Sequence, residues 1–104
     1  MIVAIAAQSP VDDHGRLLHA GDVAAQLALT VTKLDRAVRD VGLAMSDLDH
    51  LRVRTTDAAA LHDAIDVLTE HLAACGARPA VTVVEVDHLD DPEMVVTIDG
   101  LANR

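Results

Sequence analysis

The residues of this chain that could move a proton or hold a charge are few and scattered. Glu85 stands in the run Val84-Glu85-Val86. Alternate residues of an extended strand share a face, so Glu85 sits with Val81 and Val83. If that face lines a cleft, Glu85 is the candidate general acid or base. The other reading is a carboxylate facing solvent or paired across a subunit boundary. Arg52 and Arg54 fall two residues apart in "DHLRVRTT", residues 49–56, opposite the apolar face of Leu51 and Val53. Two guanidiniums on one face could hold an anion, or could pair with the many carboxylates of a neighbour. Six histidines (14, 19, 50, 62, 71 and 88) raise the question of a metal. No two of them have the i, i+4 spacing of a helical site, and none stands with a cysteine in a known ligand motif. Only a cluster between subunits would supply one, so no metal and no cofactor is expected; His71 reads as a packing or solvated residue. Cys75 lies near a helix C-terminus, which does not lower a thiol pKa, so it is not read as a nucleophile.

These groups need a frame. "MIVAIAA" (1–7) is short, apolar and partly β-branched, and predicts a buried strand. "QSPVDDHGRLLHA" (8–20) carries Pro10, Asp12, Asp13 and Gly15 and predicts a loop with a hairpin-like excursion. Asp22 is placed to cap a helix running to about Val41, with Leu27, Val31, Leu34, Val38 and Val41 as its apolar stripe and Gly42 as its stop. Residues 49–56 predict a second strand. Asp57 then opens a second helix that buries Leu61, Ile65, Leu68 and Leu72 and ends at Gly76. Strands at about 80–86 and 94–101 follow, joined by a polar turn. The order β-α-β-α-β-β predicts one α+β domain over 1–104, a βαβαββ sandwich with helices on one face of a sheet. The other face would expose Val, Ile and Met, which predicts an oligomer.

Composition excludes several classes of function. A net charge of −9 repels phosphate backbones. The chain has no Phe, Tyr or Trp on which to stack bases. A nucleic-acid partner is therefore not expected. The single cysteine excludes an internal disulfide. No stretch approaches a membrane span, and the start lacks the basic region of a signal peptide, so a cytoplasmic protein without a membrane partner is expected.

Read in order, the motifs resemble those of the RidA/YjgF family, also called endoribonuclease L-PSP. "AAQSPVDDHGRL" resembles its "SGQ-x-P-x…G" segment through Gln8, Pro10 and Gly15. Val23, Gln26, Leu34, Gly42 and Asp47 follow its first helix and turn. Asp57 and Leu61 match the start of its second helix. "RPAVTVVEVDHL…VVTIDGLA" resembles its terminal "RPARTxVxVxxLP…VEIEAIA" hairpin. The resemblance implies a chorismate-mutase-like fold and homotrimers with ligand clefts between subunits. Full-motif members hydrolyse enamines and imines such as 2-aminoacrylate to keto acid and ammonia. There a cleft arginine pairs with the substrate carboxylate, and a glutamate helps polarise water.

This sequence departs from that pattern where the chemistry resides. The arginine of "PAR" falls on Val81, which cannot pair with a carboxylate. The first glutamate of "EIE" falls on Thr97, which can hydrogen-bond water but is a poor acid or base at neutral pH. The "SG" before the glutamine becomes Ala6-Ala7, without a hydroxyl. The family segment before this strand, with its cleft tyrosine, has no counterpart in the sequence. The expectation is a homotrimer whose nonstandard cleft binds a small metabolite. Its ligand contacts would be Val81, Val83, Ala6 and Ala7 with Arg52 and Arg54, and any residual acid–base work would fall to Glu85 and Thr97. The alternatives are an enamine/imine deaminase and a non-catalytic structural or interaction trimer.

Overall fold

The computed structural model describes residues 1–104. Strand β1 (Ile2–Gln8) is followed by helix α1 (Val23–Asp40), strand β2 (Leu48–Thr55), helices α2 (Ala58–Ala64) and α3 (Asp66–Ala74), and strands β3 (Ala80–Glu85) and β4 (Val96–Asn103). This is the predicted α+β order, with one 3₁₀ turn at Met45–Asp47 before β2. The second helix is divided at Ile65. Its amide bonds the His62 carbonyl three residues back at 3.3 Å, so one tightened turn separates two helical pieces.

The helix boundaries follow from their caps. The Asp22 carboxylate accepts the Ala25 amide at 3.0 Å, and that of Asp57 accepts the Ala60 amide at the same distance. Both helical runs end alike. Gly42 and Gly76 hold φ of +80° and +66°, a region where a side chain is strained. The amides after them reach back five residues, Leu43 to Val38 at 3.1 Å and Ala77 to Leu72 at 2.9 Å.

The strand order is β1-β4-β2-β3. β4 runs antiparallel to both β1 and β2, while β3 is parallel to β2. The last two strands therefore do not form the hairpin that their sequence suggests, since β2 lies between them. A parallel pair needs a crossover, and α2–α3 supplies it. The long 86–95 connection then carries the chain across the sheet to the slot between β1 and β2.

The helices lie on one face and close a core of Leu27, Val31, Leu34 and Val38 against Ile5, Leu51, Val53, Val96 and Ile98, all buried. Packing there is close. A Cβ on Gly100 would lie 2.8 Å from Leu51 Cδ2 and 2.9 Å from the His50 carbonyl. Gln26 is fully buried. Its amide nitrogen donates to the carbonyls of Glu93 (2.9 Å) and His19 (3.2 Å), and its oxygen accepts the Val95 amide at 2.9 Å. One side chain thus ties α1 to both long loops. Lys33 fastens the first loop again, donating to the carbonyls of Ser9 at 2.8 Å and Val11 at 3.1 Å. A Val11–Leu17 bridge forms the predicted excursion within that loop.

Candidate functional site

Strand β3 forms one edge of the sheet, and all six of its residues are exposed. Its ladder with β2 pairs Val81, Val83 and Glu85 with Leu51, Val53 and Thr55, so these three share the helix-covered side. The cover stops short of them. Val81 is 41% and Val83 46% exposed. Between the β3 edge and the helices run two adjoining grooves. The first, of about 400 Å³, is bounded by Thr69, Leu72, Ala73, Gly76, Arg78 and Val81. The second, of about 260 Å³, is bounded by Ala58, Leu61, His62, Ile65 and Val83. Glu85 ends the row. Its Oε2 accepts the Ala58 amide at 2.9 Å, so it satisfies an otherwise open N–H at the start of α2.

The other candidates occupy the opposite face of the sheet. Arg52 is paired with Asp99, its Nη2 3.1 Å from Oδ2. Its carboxylate partner is thus in its own chain. Arg54 lies across the β2–β4 ladder from Thr97 and makes no hydrogen bond or ion pair within the chain. Thr97 is buried, at 8% exposure. His50 Nε2 lies 2.7 Å from Thr82 Oγ1. A shallower groove of about 230 Å³ is framed by His50, Arg52, Asp99, Gly100 and Leu101. Ala6 and Ala7 fall in the irregularity of β1 between Ile5 and Gln8, where the Ala6 carbonyl accepts the Gln8 side-chain amide at 3.0 Å.

The residues singled out in the sequence thus form two groups that one chain does not bring together. Val81, Val83 and Glu85 line the β3 edge on the helix side. Arg52, Arg54 and Thr97 lie on the uncovered face. Arg78, in the "RP" that the family shares, reads in the sequence as ordering the start of β3 or the edge between subunits, with a ligand contact as the lesser alternative. Here it borders the same groove as Val81, with no hydrogen bond or ion pair of its own. The sequence signal was its position three residues before Val81, but nothing in the spacing fixed which way it faces. A third cluster was not legible: Asp35, His71 and Cys75 meet where α1 packs on α3.

Comparison with known proteins agrees with this architecture. The family model described as endoribonuclease L-PSP matches residues 1–104. Among solved structures, the YjgF gene product of E. coli superposes with a TM-score of 0.87 at 24% identity, covering 99% of this chain and 80% of that one. E. coli TdcF, described with bound serine, gives the same values. Rv2704 of Mycobacterium tuberculosis, described as a member of the YjgF/YER057c/UK114 family, superposes with a TM-score of 0.76 at 26% identity, covering 97% of this chain and 77% of that one. Among curated proteins, none matches the chain significantly.

Proposed function

Because this chain belongs to the endoribonuclease L-PSP (RidA/YjgF) family, we propose that it works as a homotrimer that binds a small metabolite in clefts between subunits and does not carry out the family's imine hydrolysis. The observation that carries this reading is the placement of Val81 and Thr97. They stand where the resemblance puts the family's arginine and glutamate, yet they lie on opposite faces of the sheet. A cleft that used both positions would have to draw one from each of two chains. The uncovered face also carries Ile2, Val84 and Leu101, apolar and exposed in the single chain, which favours a covering neighbour.

The ligand class follows from the groove beside Val81. Its wall is mostly aliphatic, and Arg78 is its cation. Such a groove suits a small carbonyl compound or acid with an apolar body. Hydrolysis is disfavoured because no carboxylate is free there. Glu85 is occupied by the Ala58 amide, and Thr97 does not titrate near neutrality. RNA cleavage, which the family's name suggests, fits poorly with a net charge of −9 and no aromatic ring.

A thermal-shift screen with small apolar acids, carbonyl compounds and serine tests the binding, alongside sedimentation for the assembly. We expect a trimer, a rise in Tm with one acid, and loss of that rise in Arg78→Ala. A monomer, or no stabilisation by any compound, would overturn the reading. Ammonia release from freshly generated 2-aminoacrylate above the buffer rate would replace it with the deaminase.

A further inference from the structure

The cluster at the α1–α3 contact stands apart from both faces of the sheet and plays no part in the reading above. Asp35 comes from α1, while His71 and Cys75 come from α3 and its C-terminal cap. Asp35 and His71 are half-buried and Cys75 is exposed. His71 Nε2 lies 2.7 Å from Asp35 Oδ2, and Cys75 Sγ lies 4.0 Å from that same oxygen. One donor atom from each of the three lies within 4.8 Å of the others. The second carboxylate oxygen, Oδ1, is held by Arg39 Nε at 2.9 Å.

Two functions could use a thiol, an imidazole and a carboxylate. A nucleophilic relay needs them in series, with the carboxylate on one ring nitrogen and the thiol on the other. Here the imidazole and the thiol both approach one carboxylate oxygen, so the three converge on a common point, as ligands of one ion do. His71 and Cys75 are four residues apart, which places them on one side of their helix. That spacing is present in the sequence, but a single His–Cys pair matches neither the paired-histidine spacing nor a cysteine ligand motif. The third ligand comes from a helix more than thirty residues earlier, which only the packing supplies.

We infer that Asp35, His71 and Cys75 form a three-ligand site for a zinc-class divalent cation that ties α1 to α3. Tetrahedral bonds of about 2.0 Å to nitrogen and oxygen and 2.3 Å to sulfur set the ligand atoms about 3.3–3.6 Å apart. The present separations bracket that range, so side-chain movements of about an ångström or less at each residue close the site. On binding, the thiol releases its proton to solvent. The thiolate and Asp35 then balance the two positive charges, His71 coordinates as a neutral ring, and Arg39 orients the carboxylate from outside. One thiolate, one imidazole and one carboxylate favour zinc or cobalt over magnesium or calcium, which take mostly oxygen. Three protein ligands leave a fourth position for water.

Cobalt(II) and zinc are the probes. Wild-type protein titrated with cobalt should show a thiolate-to-cobalt charge-transfer band with the visible bands of a tetrahedral ion. Zinc should raise Tm where magnesium does not, and should protect Cys75 from alkylation. Cys75→Ser should remove the charge-transfer band, and it and His71→Asn should each weaken zinc binding by about tenfold or more. His88→Asn, an exposed histidine outside the cluster, should change neither. Absence of the band in wild type, no zinc protection of Cys75, or full zinc affinity in either ligand variant would overturn the assignment. Alkylation protection is read on the unmodified chain and does not depend on a variant folding.

Discussion

Strands β4 and β3 each set a Thr between two β-branched apolar residues and carry one acidic residue, yet they meet opposite fates. β4 sits between two neighbours and buries Val96, Thr97, Ile98, Gly100 and Ala102. β3 has one neighbour and buries nothing, though it offers Val81, Val83 and Val84. Sequence composition alone does not separate them. What separates them is position in the sheet, and that position leaves β3 with an unpaired edge and apolar side chains on both sides. The single chain therefore completes the core under α1 and leaves the β3 edge and the uncovered face unfinished. The closed part holds the fold. The unfinished part is where a ligand or a second copy has something to meet.

Substitutions on the two sides should separate these roles. The largest loss is expected inside the closed half. Ile98→Ala removes a fully buried side chain between β4 and α1 and should cost about 2–5 kcal/mol in urea unfolding. A smaller loss is expected where α1 holds the two long loops. Gln26→Leu leaves the Glu93 and His19 carbonyls and the Val95 amide without their partner, for about 1–3 kcal/mol. It should also speed proteolysis in both loops that Gln26 joins. If Gln26→Leu is neutral, the two loops are held by other means.

The division between halves explains how much of the molecule was legible in its sequence. The helix limits were, because Asp22, Asp57, Gly42 and Gly76 fix them by local bonds. The faces of β2 were, because Leu51 and Val53 alternate with Arg52 and Arg54 over a buried and an exposed side. The pairing of β3 was not. Two apolar strands joined by a turn look like a hairpin, and only the crossover of α2–α3 onto the edge beside β2 shows otherwise. For the same reason the candidate site split in two. Val81 and Thr97 looked like parts of one hairpin, whereas β2 stands between their strands. The turn at Ile65 carries no Gly or Pro and gave no signal.

On the uncovered face the expected effect on the chain itself is slight, while the effect on assembly is large. Leu101→Arg replaces a 42% exposed side chain. It should change the unfolding free energy of the isolated chain by no more than about 0.5 kcal/mol. In sedimentation it should convert the proposed trimer to a smaller species. A trimer that survives this change would mean that the uncovered face does not hold the copies together, and the contrast between β4 and β3 would lose its functional meaning.

The smallest effect is expected in the exposed loop after β1, which needs no assembly to complete it. Asp12 satisfies that loop locally. Its carboxylate accepts the amides of Arg16 at 2.9 Å and His14 at 2.8 Å and the Arg16 guanidinium at 3.1 Å. The Arg16 amide is the largest influence and holds the Asp12 pKa below its ordinary 3.8; desolvation opposes it, and the His14 amide and the Arg16 side chain add to the lowering. A depressed carboxylate pKa stabilises the fold at pH values above the unfolded one, and this contribution is lost as pH falls through the lower folded one. Asp12→Asn should therefore remove a small part of the acid-side slope of stability, in the window from about pH 4 downward. Between pH 5 and 8 the two proteins should differ by a small constant offset. Tm measured across pH checks this. A variant whose acid limb runs parallel to the wild type would show that these hydrogen bonds persist without the charge, and that the loop is ordered by Gln26 and Lys33 rather than by Asp12.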